Sequence, residues 1–343
     1  MFVGEILSLS VAVMWTATAL FAETGSKRMG SLPFNLTRMG LSLVLLALTL
    51  WLTMGMPWPR YADRATWMWM LASSMVGYVV GDYCLMKGYI LIGSRFGQLF
   101  MTLSAPAAAI TGRILLGERM QPLAIIGMVV TLSGICLSIL SRKEPADPPL
   151  NPDKTGATDA SDSTFTRFSL VLPAKGIFFA VMAGICQGIG LVLSKNGLLH
   201  YDQALTSCGF DSQATPSGAL IPIPFYLSMP FAATLIRAML GFAGFLLLLM
   251  LTHRDWKSQI RHAVSDRKAM WCAWGSTLFG PFAGVSLSLL ATQYTAAGIA
   301  QTLFALTPIL IIAPSVWLFH QRVTPREVAG AAISVAGVCL FFI

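Results

Sequence analysis

A single carboxylate stands deep inside one of the apolar stretches of this chain. Asp82 lies in the run GYVVGDYCLMKGY, with Tyr78 and Tyr83 close to it in sequence. Removal from water favours the neutral form of a carboxylic acid, so such a group can bind and release a proton near neutral pH. We therefore predict that Asp82 and the two tyrosines bind a solute or a proton. The alternative is a structural acid that pairs with Lys87 or bonds to a neighbouring helix.

Two arginines, Arg38 and Arg237, also lie inside apolar segments, each one to two helical turns from an end. The planar guanidinium group can hold a carboxylate through two parallel hydrogen bonds, so both residues are candidates for contact with an anionic group. Either side chain could instead extend its charge toward the nearest aqueous boundary. For Arg38, an ion pair with Glu23 is a further alternative.

Two glutamines precede two prolines at similar points of the chain. Gln98 is followed by Pro106, and Gln301 is followed by Pro308. Proline removes an intrahelical hydrogen bond and frees a carbonyl group, so both helices are predicted to be interrupted near the middle, where a solute would bind. A simple kink is the alternative. The glutamines are predicted to line the same path, or else only to bridge helices.

Aromatic and small residues complete the set of candidates. Trp15 is predicted to form an aromatic wall of the site. Gly81 and Gly284 each follow another glycine by four residues, a spacing that lets two helices approach closely. Packing is their default role, and movement of one helix bundle against another would use the same contact. Glu118 and Arg119 are predicted to form an ion pair that fixes the turn after them.

The elements that must position these residues are membrane-spanning helices. Hydrophobic residues make up 55% of the 343-residue chain and charged residues only 11%, with a mean hydropathy of +0.70. Runs such as Leu41–Leu52 are apolar on every face, which excludes the alternating pattern of a β-barrel strand. Ten windows are long enough to cross a bilayer, at about 3–23, 34–54, 67–88, 95–116, 121–141, 174–196, 230–251, 270–291, 295–319 and 325–343.

The chain contains an internal repeat. Residues 67–140 recur 203 positions later without a gap, so that Gly77 matches Gly280 and Gln98 matches Gln301. The segment around Ser26 and Lys27 recurs 168 positions later, and Arg38 matches Arg237 at an offset of 199. The position of Asp82 is taken by Val285 in the second copy, so a coupling site at this position would be asymmetric.

Each copy holds five helices, and an odd number places the second copy in the membrane with the opposite direction. The predicted fold is an all-α integral membrane protein of ten transmembrane helices in two inverted repeats. The predicted boundaries are 1–141 for the first repeat, 142–173 for a linker rich in Pro, Asp and Ser, and 174–343 for the second repeat, with an insertion at about 199–229. Because of the inversion, Arg38 and Arg237 are expected near opposite faces.

The chain carries 23 Lys and Arg against 15 Asp and Glu, a net charge of +8. These bases stand in short loops between apolar runs, so we assign them to lipid headgroups and exclude a nucleic-acid partner. Most of them fall in the odd-numbered loops, which taken alone places both termini outside the cell. The six cysteines are scattered singly with no Cys/His cluster, so we predict no metal and no cofactor.

The runs GERMQPLAIIGMVVTLSGICL (Gly117–Leu137) and HQRVTPREVAGAAISVAGVCL (His320–Leu340) resemble the signature that closes each EamA repeat of the drug/metabolite transporter superfamily. The resemblance implies a ten-helix exporter or exchanger of small polar metabolites, often amino acids, driven by a proton or substrate gradient. Members are generally drawn with both termini in the cytoplasm, against the charge count. Gln321 stands where the first copy has Glu118, so a carboxylate there is not required in both halves.

These observations together predict a secondary active transporter. It would move a small polar solute, such as an amino acid or related metabolite, through the cell membrane by alternating access, with protons as a candidate coupling ion. For a Gram-negative source this would be the inner membrane, and the protein would be a monomer or a homodimer. The chain has no GxxxxGK[ST] motif, which argues against ATP as the energy source. A channel and a membrane enzyme are the alternatives, and we predict no enzymatic activity.

Overall fold

The computed structural model of the protein describes residues 2–140, 173–216, 218–310 and 325–340, and within these ranges the regular structure is entirely helical. The helices are α1 (Val3–Met29), α2 (Ser31–Met54), α3 (Arg64–Ser94), α4 (Phe96–Leu116), α5 (Pro122–Leu140), α6 (Ala174–Ser207), α7 (Phe225–Thr252), α8 (Trp256–Ser265), α9 (Arg267–Tyr294), α10 (Ala297–Leu310) and α11 (Pro325–Cys339). The predicted linker lies outside the described residues except for its last position, as do residues 311–319 of the ninth window.

Seven of these helices are long and apolar enough to cross a membrane, namely α1, α2, α3, α4, α6, α7 and α9. Shorter apolar helices account for three further predicted windows, within α5, α10 and α11. The protein is therefore a multi-pass membrane protein built of apolar helices. The structure adds two details: α6 continues to Ser207, into the predicted insertion, and the short helix α8 precedes the eighth window.

Asp63 and Asp266 begin α3 and α9 at equivalent positions of the two copies. Asp63 accepts a hydrogen bond from the backbone N–H of Thr66 at 2.8 Å, and Asp266 accepts from the N–H groups of Lys268 and Ala269. These bonds satisfy donors that a helix leaves unpaired at its first turn. The bond with the Thr66 hydroxyl is the main cause that lowers the pKa of Asp63, and the bond with the Ala269 N–H that of Asp266.

Irregular turns occur at matching places of the two copies. The backbone widens into a π-helix at Ser74–Asp82 within α3 and at Leu278–Phe282 within α9. Likewise α4 is interrupted at residues 102–103 and α10 at residues 305–306, positions that are related by the repeat offset of 203. Wide turns and interruptions of this kind often mark functional sites in helical proteins.

The helices α5 and α11 contact each other through equivalent residues. Thr131 Oγ1 donates to the carbonyl of Ser334 at 3.5 Å, and Ser334 Oγ donates to the carbonyl of Thr131 at 3.1 Å. Gly134 lies against Ser334, and Gly337 lies against Thr131. When each of two equivalent residues bonds to the other in the same way, the two units are related by a two-fold axis.

Equivalent residues of the two copies also pack together in the hydrophobic core. Leu46 and Leu50 of α2 and their equivalents Phe245 and Leu249 of α7 are fully buried in one cluster. The helix α1 packs on α9, just as its equivalent α6 packs on α3. Each copy therefore contributes helices to the surroundings of the other, and the centre of the molecule is assembled from both.

The predicted insertion ends in an ordered segment over α2. The N–H of Ile221 donates to the carbonyl of Leu52 at 2.9 Å, and Gly218 lies close to Gly55 in the turn after α2. The rings of Phe210 and Tyr61 are 4.8 Å apart. The segment between α6 and α7 thus covers the turn after α2.

Candidate functional site

A cavity of about 670 Å³, counted with the part open to solvent, lies between the two copies, and we refer to it as the central cavity. Its walls come from α1, α3, α4, α6, α7, α9 and α10. Four predicted site residues line it: Trp15, Gln98, Arg237 and Gln301. The two glutamines occupy equivalent positions of the repeats, so their side chains approach the same space from both copies.

The polar side chains of the wall are linked by hydrogen bonds. Ser104 Oγ donates to Gln301 Oε1 at 3.3 Å, and Gln301 Nε2 is 3.5 Å from the carbonyl of Gln187. Gln98 Nε2 donates to the hydroxyl oxygen of Tyr89 at 2.5 Å. Because these groups are amides and hydroxyls, they can donate to and accept from a polar solute without introducing a net charge.

Asp82 lies beside the central cavity in a network of buried groups. Gln187 Nε2 donates to Asp82 Oδ1 at 2.6 Å, and Arg38 Nη2 lies 3.8 Å from Asp82 Oδ2. Asn35 joins the two, because it accepts from Arg38 Nη1 at 3.1 Å and donates to the carbonyl of Asp82 at 3.3 Å. Only 2% of Arg38 and 4% of Asp82 are exposed, so the two charges largely neutralise each other inside the protein.

Arg237 has a different environment. The residue is 3% exposed and forms part of the cavity wall, with its guanidinium carbon 4.4 Å from the centre of the Tyr78 ring. In the part of the chain that the structure describes, no carboxylate lies within ion-pair distance of it. Its Nε, like that of Arg38, has no hydrogen-bond partner there. The buried hydroxyl of Tyr78 likewise has no partner there. A cation–π contact compensates only part of the cost of burying a charge.

The two arginines nevertheless share one feature, because a hydroxyl group donates a hydrogen bond to the backbone carbonyl of each. Thr277 Oγ1 donates to the carbonyl of Arg38 at 3.4 Å, and the equivalent Ser74 Oγ donates to the carbonyl of Arg237 at 2.9 Å. A Cβ atom at Gly280 would lie 3.4 Å from Arg38 Nη2, and one at Gly77 would lie 3.2 Å from Arg237 Nη2. A glycine thus lies next to each guanidinium group at equivalent positions of the two copies.

The structure decides between several alternatives that the sequence left open. Arg38 pairs with Asp82, and Glu23 instead contacts Lys27 at 2.7 Å and Ser94. The ammonium group of Lys87 lies near the ring of Tyr83 rather than beside Asp82.

The expectation that the arginines lie near opposite faces was wrong. Both guanidinium groups interact electrostatically with Asp82, because α2 and α7 pack together at the centre. Tyr83 is partly buried, contacts Phe179 edge-on and is not part of the cavity wall.

The two prolines among the predicted hinge residues lie next to the interruptions of α4 and α10. Pro106 follows the break in α4, in the first turn of Ser104–Leu116, and Pro308 follows the break in α10. Gly81 lies against Cys186 and Gln187 of α6, and Gly284 lies near Trp15 of α1. The interruptions are therefore confirmed as structure, and the glycines lie where helices of the two copies meet.

Sequence reasoning did not identify several polar residues of the site. Gln187, Ser288, Ser104 and Thr307 line the central cavity, and Asn35 links Arg38 to Asp82. Gln187 is a polar residue in the middle of an apolar window, which was the signal available for it. The serines and the threonine gave none, because such side chains often bond to their own helix, as Thr307 does here.

A partly buried ion pair joins the two copies at one end of the molecule. Lys195 Nζ lies 2.5 Å from Glu118 Oε1, an electrostatic contact rather than a well-directed hydrogen bond, and it donates to the carbonyl of Thr295 at 2.9 Å. Glu118 Oε2 accepts from the N–H of Ala297 at 3.0 Å. The prediction that Glu118 pairs with Arg119 was wrong, since its partner is a lysine of the other copy. We call this the Lys195 end.

Lys27, the equivalent of Lys195, lies at the other end of α1. Thr295 contacts Glu5 at the start of that helix, and Lys27 stands in its last turn. The side chains of Lys27 and its partner Glu23 are 50% and 26% exposed, against 15% each for Lys195 and Glu118. Each end of the molecule thus carries a lysine–glutamate ion pair, and the pair at this end is the more exposed of the two. We call this end the Lys27 end.

Among the described residues there is no group of three or more His, Cys, Asp or Glu side chains that could hold a metal ion. The titratable groups near the cavity are the pair Arg38 and Asp82, together with Arg237 and the tyrosines. This arrangement suits the binding of a polar solute and the exchange of a proton.

A model of the EamA-like transporter family matches residues 2–140 and 225–343. A solved structure, described as the crystal structure of a protein, has a TM-score of 0.62 and 14% sequence identity to the chain, with 98% of this chain and 96% of that chain covered. At that identity the likeness establishes the fold alone. No curated protein matches the sequence.

Proposed function

The chain belongs to the EamA-like transporter family, as its two signature runs predicted, and on this basis we propose that it is a secondary active transporter. It moves a small polar metabolite, such as an amino acid or a related compound, across the cell membrane as an exporter or exchanger. The central cavity carries this proposal, because both copies line it and its wall combines apolar side chains with amides, hydroxyls and one arginine.

We propose that the chain crosses the membrane ten times, as two inverted repeats of five helices. The reciprocal bonds between Thr131 and Ser334 support this topology, because they relate the copies by a two-fold operation. The first repeat is 1–141, a linker covers 142–173, and the second repeat is 174–343. With five helices in each copy, the axis lies in the plane of the membrane.

Alternating access is supported by the unequal ends of the molecule. The partly buried contact between Lys195 and Glu118 ties α6 to the turns before α5 and α10, and we propose that it closes the central cavity on that side. The equivalent Lys27 is exposed, and among the described residues it bonds only to Glu23 of its own helix. We propose that the Lys195 end opens when the copies rock against each other, with the interruptions of α4 and α10 as hinges.

We propose that Asp82 couples transport to protons. Its carboxylate accepts a hydrogen bond from Gln187 and forms an ion pair with Arg38, and Gln187 also lines the central cavity. Protonation of Asp82 would weaken its contacts with Gln187 and Arg38, and through Gln187 it would change the cavity wall. Arg38 and Asp82 are thus assigned to coupling, and Arg237, Gln98, Gln301 and Trp15 to the solute.

Counter-flow in vesicles tests the proposal. Purified protein reconstituted in liposomes and loaded with unlabelled amino acids should show saturable uptake of the labelled compound that depends on the internal solute. Linear, non-saturating flux would instead identify a channel, and chemical conversion of the solute would identify an enzyme. Gln98→Leu and Gln301→Leu should raise the KM of uptake, whereas Phe178→Leu, a change at an exposed ring, serves as the matched control.

A further inference from the structure

The repeat explains why no acid of the described residues forms an ion pair with Arg237. In the first copy, Arg38 is neutralised by Asp82 of the same copy. The equivalent of Arg38 is Arg237 and the equivalent of Asp82 is Val285, which is 4% exposed and lines the central cavity. The second copy therefore keeps the cation and has an apolar side chain where its counter-charge would stand.

We infer that Arg237 binds the carboxylate of the transported solute, which takes the place that Asp82 has in the first copy. This inference rests on the proposed function and narrows it to solutes that carry a carboxylate. A buried guanidinium group without an anion is unfavourable, whereas one that pairs with a carboxylate forms two strong hydrogen bonds. The apolar wall around it, with Val285, Leu191 and Phe304, strengthens that attraction by excluding water.

The remaining geometry is consistent with this assignment. The ring of Tyr78 fixes the guanidinium group from one face, and Ser74 fixes the backbone of the residue. Gly77 leaves room for the terminal nitrogens, so the group is positioned before a ligand arrives. Gln301 and Ser104 elsewhere on the wall can bond to the uncharged polar groups of the solute. Asp82 is paired with Arg38, accepts a hydrogen bond from Gln187 and is not among the residues that line the cavity, so Arg237 is the charged group that the cavity presents to a solute.

Binding measured in detergent tests the inference separately from transport. The probes are the amino acids and a set of short mono- and dicarboxylates as sodium salts, each compared with the corresponding neutral amide, with sodium chloride as the control for ionic strength. Carboxylates that fit should raise the melting temperature of the wild-type protein, and their amides should not. If no acid in the set stabilises the protein more than its amide does, the inference is wrong.

Substitutions at two positions locate the binding. Arg237→Gln should weaken binding of the stabilising carboxylate about tenfold or more, and Arg237→Lys should cause a smaller loss. Val285→Asp, which installs the missing acid beside an intact Arg237, should weaken binding to a similar degree. Val285→Asn has the same shape without the charge and should cause a clearly smaller loss. Equal losses in Asp and Asn variants, or full binding by Arg237→Gln, would overturn the assignment.

The flux assay separates this inference from the proposed function. Carboxylate binding that depends on Arg237 but is accompanied by no saturable flux would contradict transport and leave the binding site in place. Saturable flux of neutral or cationic solutes, unaffected by Arg237→Gln, would contradict the carboxylate assignment and leave transport in place.

Discussion

Arg38 and Arg237 are the same residue at equivalent positions of two copies, and the difference in their surroundings that changes the charge is one side chain. In the first copy an aspartate faces the guanidinium group, and in the second copy a valine stands at that position. The backbone bonds from Thr277 and Ser74, and the space left by Gly280 and Gly77, are common to both. The contacts common to both copies therefore position an arginine in each copy. Among the described residues, only Arg38 has a carboxylate within ion-pair distance.

The comparison shows how a duplicated protein can acquire an asymmetric site without changing its fold. A solute that approached two identical halves would meet the same groups from both sides. Replacing one acid by valine gives the central cavity one net positive charge from these groups and leaves the other pair buried. In our proposal one copy thus supplies the coupling group and the other supplies the solute contact.

The largest difference between the copies is expected when the buried charges are removed. Asp82→Asn leaves Arg38 buried without a counter-charge, which should destabilise the protein by about 3–5 kcal/mol. The double variant with Arg38→Gln should recover much of that loss, because it removes both charges. Arg237→Gln should cost far less, since it removes a charge that has no acidic partner among the described residues. Thermal unfolding in detergent measures all three.

The same variants test coupling. In reconstituted vesicles, Asp82→Asn should abolish the response of uptake to a pH gradient, whereas Arg237→Lys should keep that response and change the affinity for the solute. Unchanged proton dependence in the Asp82 variant would remove this residue from the mechanism. Equal destabilisation by Asp82→Asn and Arg237→Gln would contradict the comparison of the two arginines.

A smaller difference is expected between the two ends of the molecule. Glu118→Gln removes a largely buried partner of Lys195 and should weaken the closed Lys195 end by about 1–3 kcal/mol. Glu23→Gln is the matched change at the Lys27 end, and it should cost less than about 1 kcal/mol because that pair is exposed. Hydrogen exchange should accelerate at the amide of Ala297 only in the first variant. Equal acceleration at both ends would rule out a gating role for Glu118.

Much of this architecture follows from the sequence, because hydrophobicity and repetition are local and additive signals. The ten windows all coincide with helices within the described residues, and the paired glutamines of the repeats indicated the central cavity. The partner of Arg38 was harder to predict. A solute carboxylate, Glu23 and a lipid headgroup were the partners that the pattern suggested, and the packing of α2 against α3 and α7 brings Arg38 to Asp82 instead.

The partner of Glu118 shows the same limit more clearly. Arg119 is its neighbour in sequence, whereas Lys195 belongs to the other copy, and the contact exists only because α6 passes beside the turn that precedes α5. The residue before a turn and the lysine inside a helix give no joint signal in sequence. Pairing across helices is a property of tertiary structure, so local patterns predicted which groups are polar but not which groups meet.

The smallest difference is expected at the helix caps Asp63 and Asp266, which are equivalent and lie at opposite ends of the molecule. Asp63→Ala should destabilise the protein by about 1 kcal/mol through loss of the bonds with Thr66. Asp266 also pairs with Arg28 at 2.7 Å, so Asp266→Ala should have an effect that decreases with salt, whereas that of Asp63→Ala should not. Thermal unfolding at low and high ionic strength distinguishes them.

The pH dependence of these caps has a definite sign. In both residues the folded pKa lies below the unfolded value, so the stabilisation is complete above the unfolded pKa, which is about 3.9 for aspartate, and is lost as the pH falls through the folded pKa. Acid unfolding of wild type and alanine variants should therefore converge at low pH. A difference in stability between wild type and the alanine variants that persisted at low pH would mean that the carboxylates contribute through packing rather than charge. Because Asp63 and Asp266 occupy equivalent positions, the test applies to both copies.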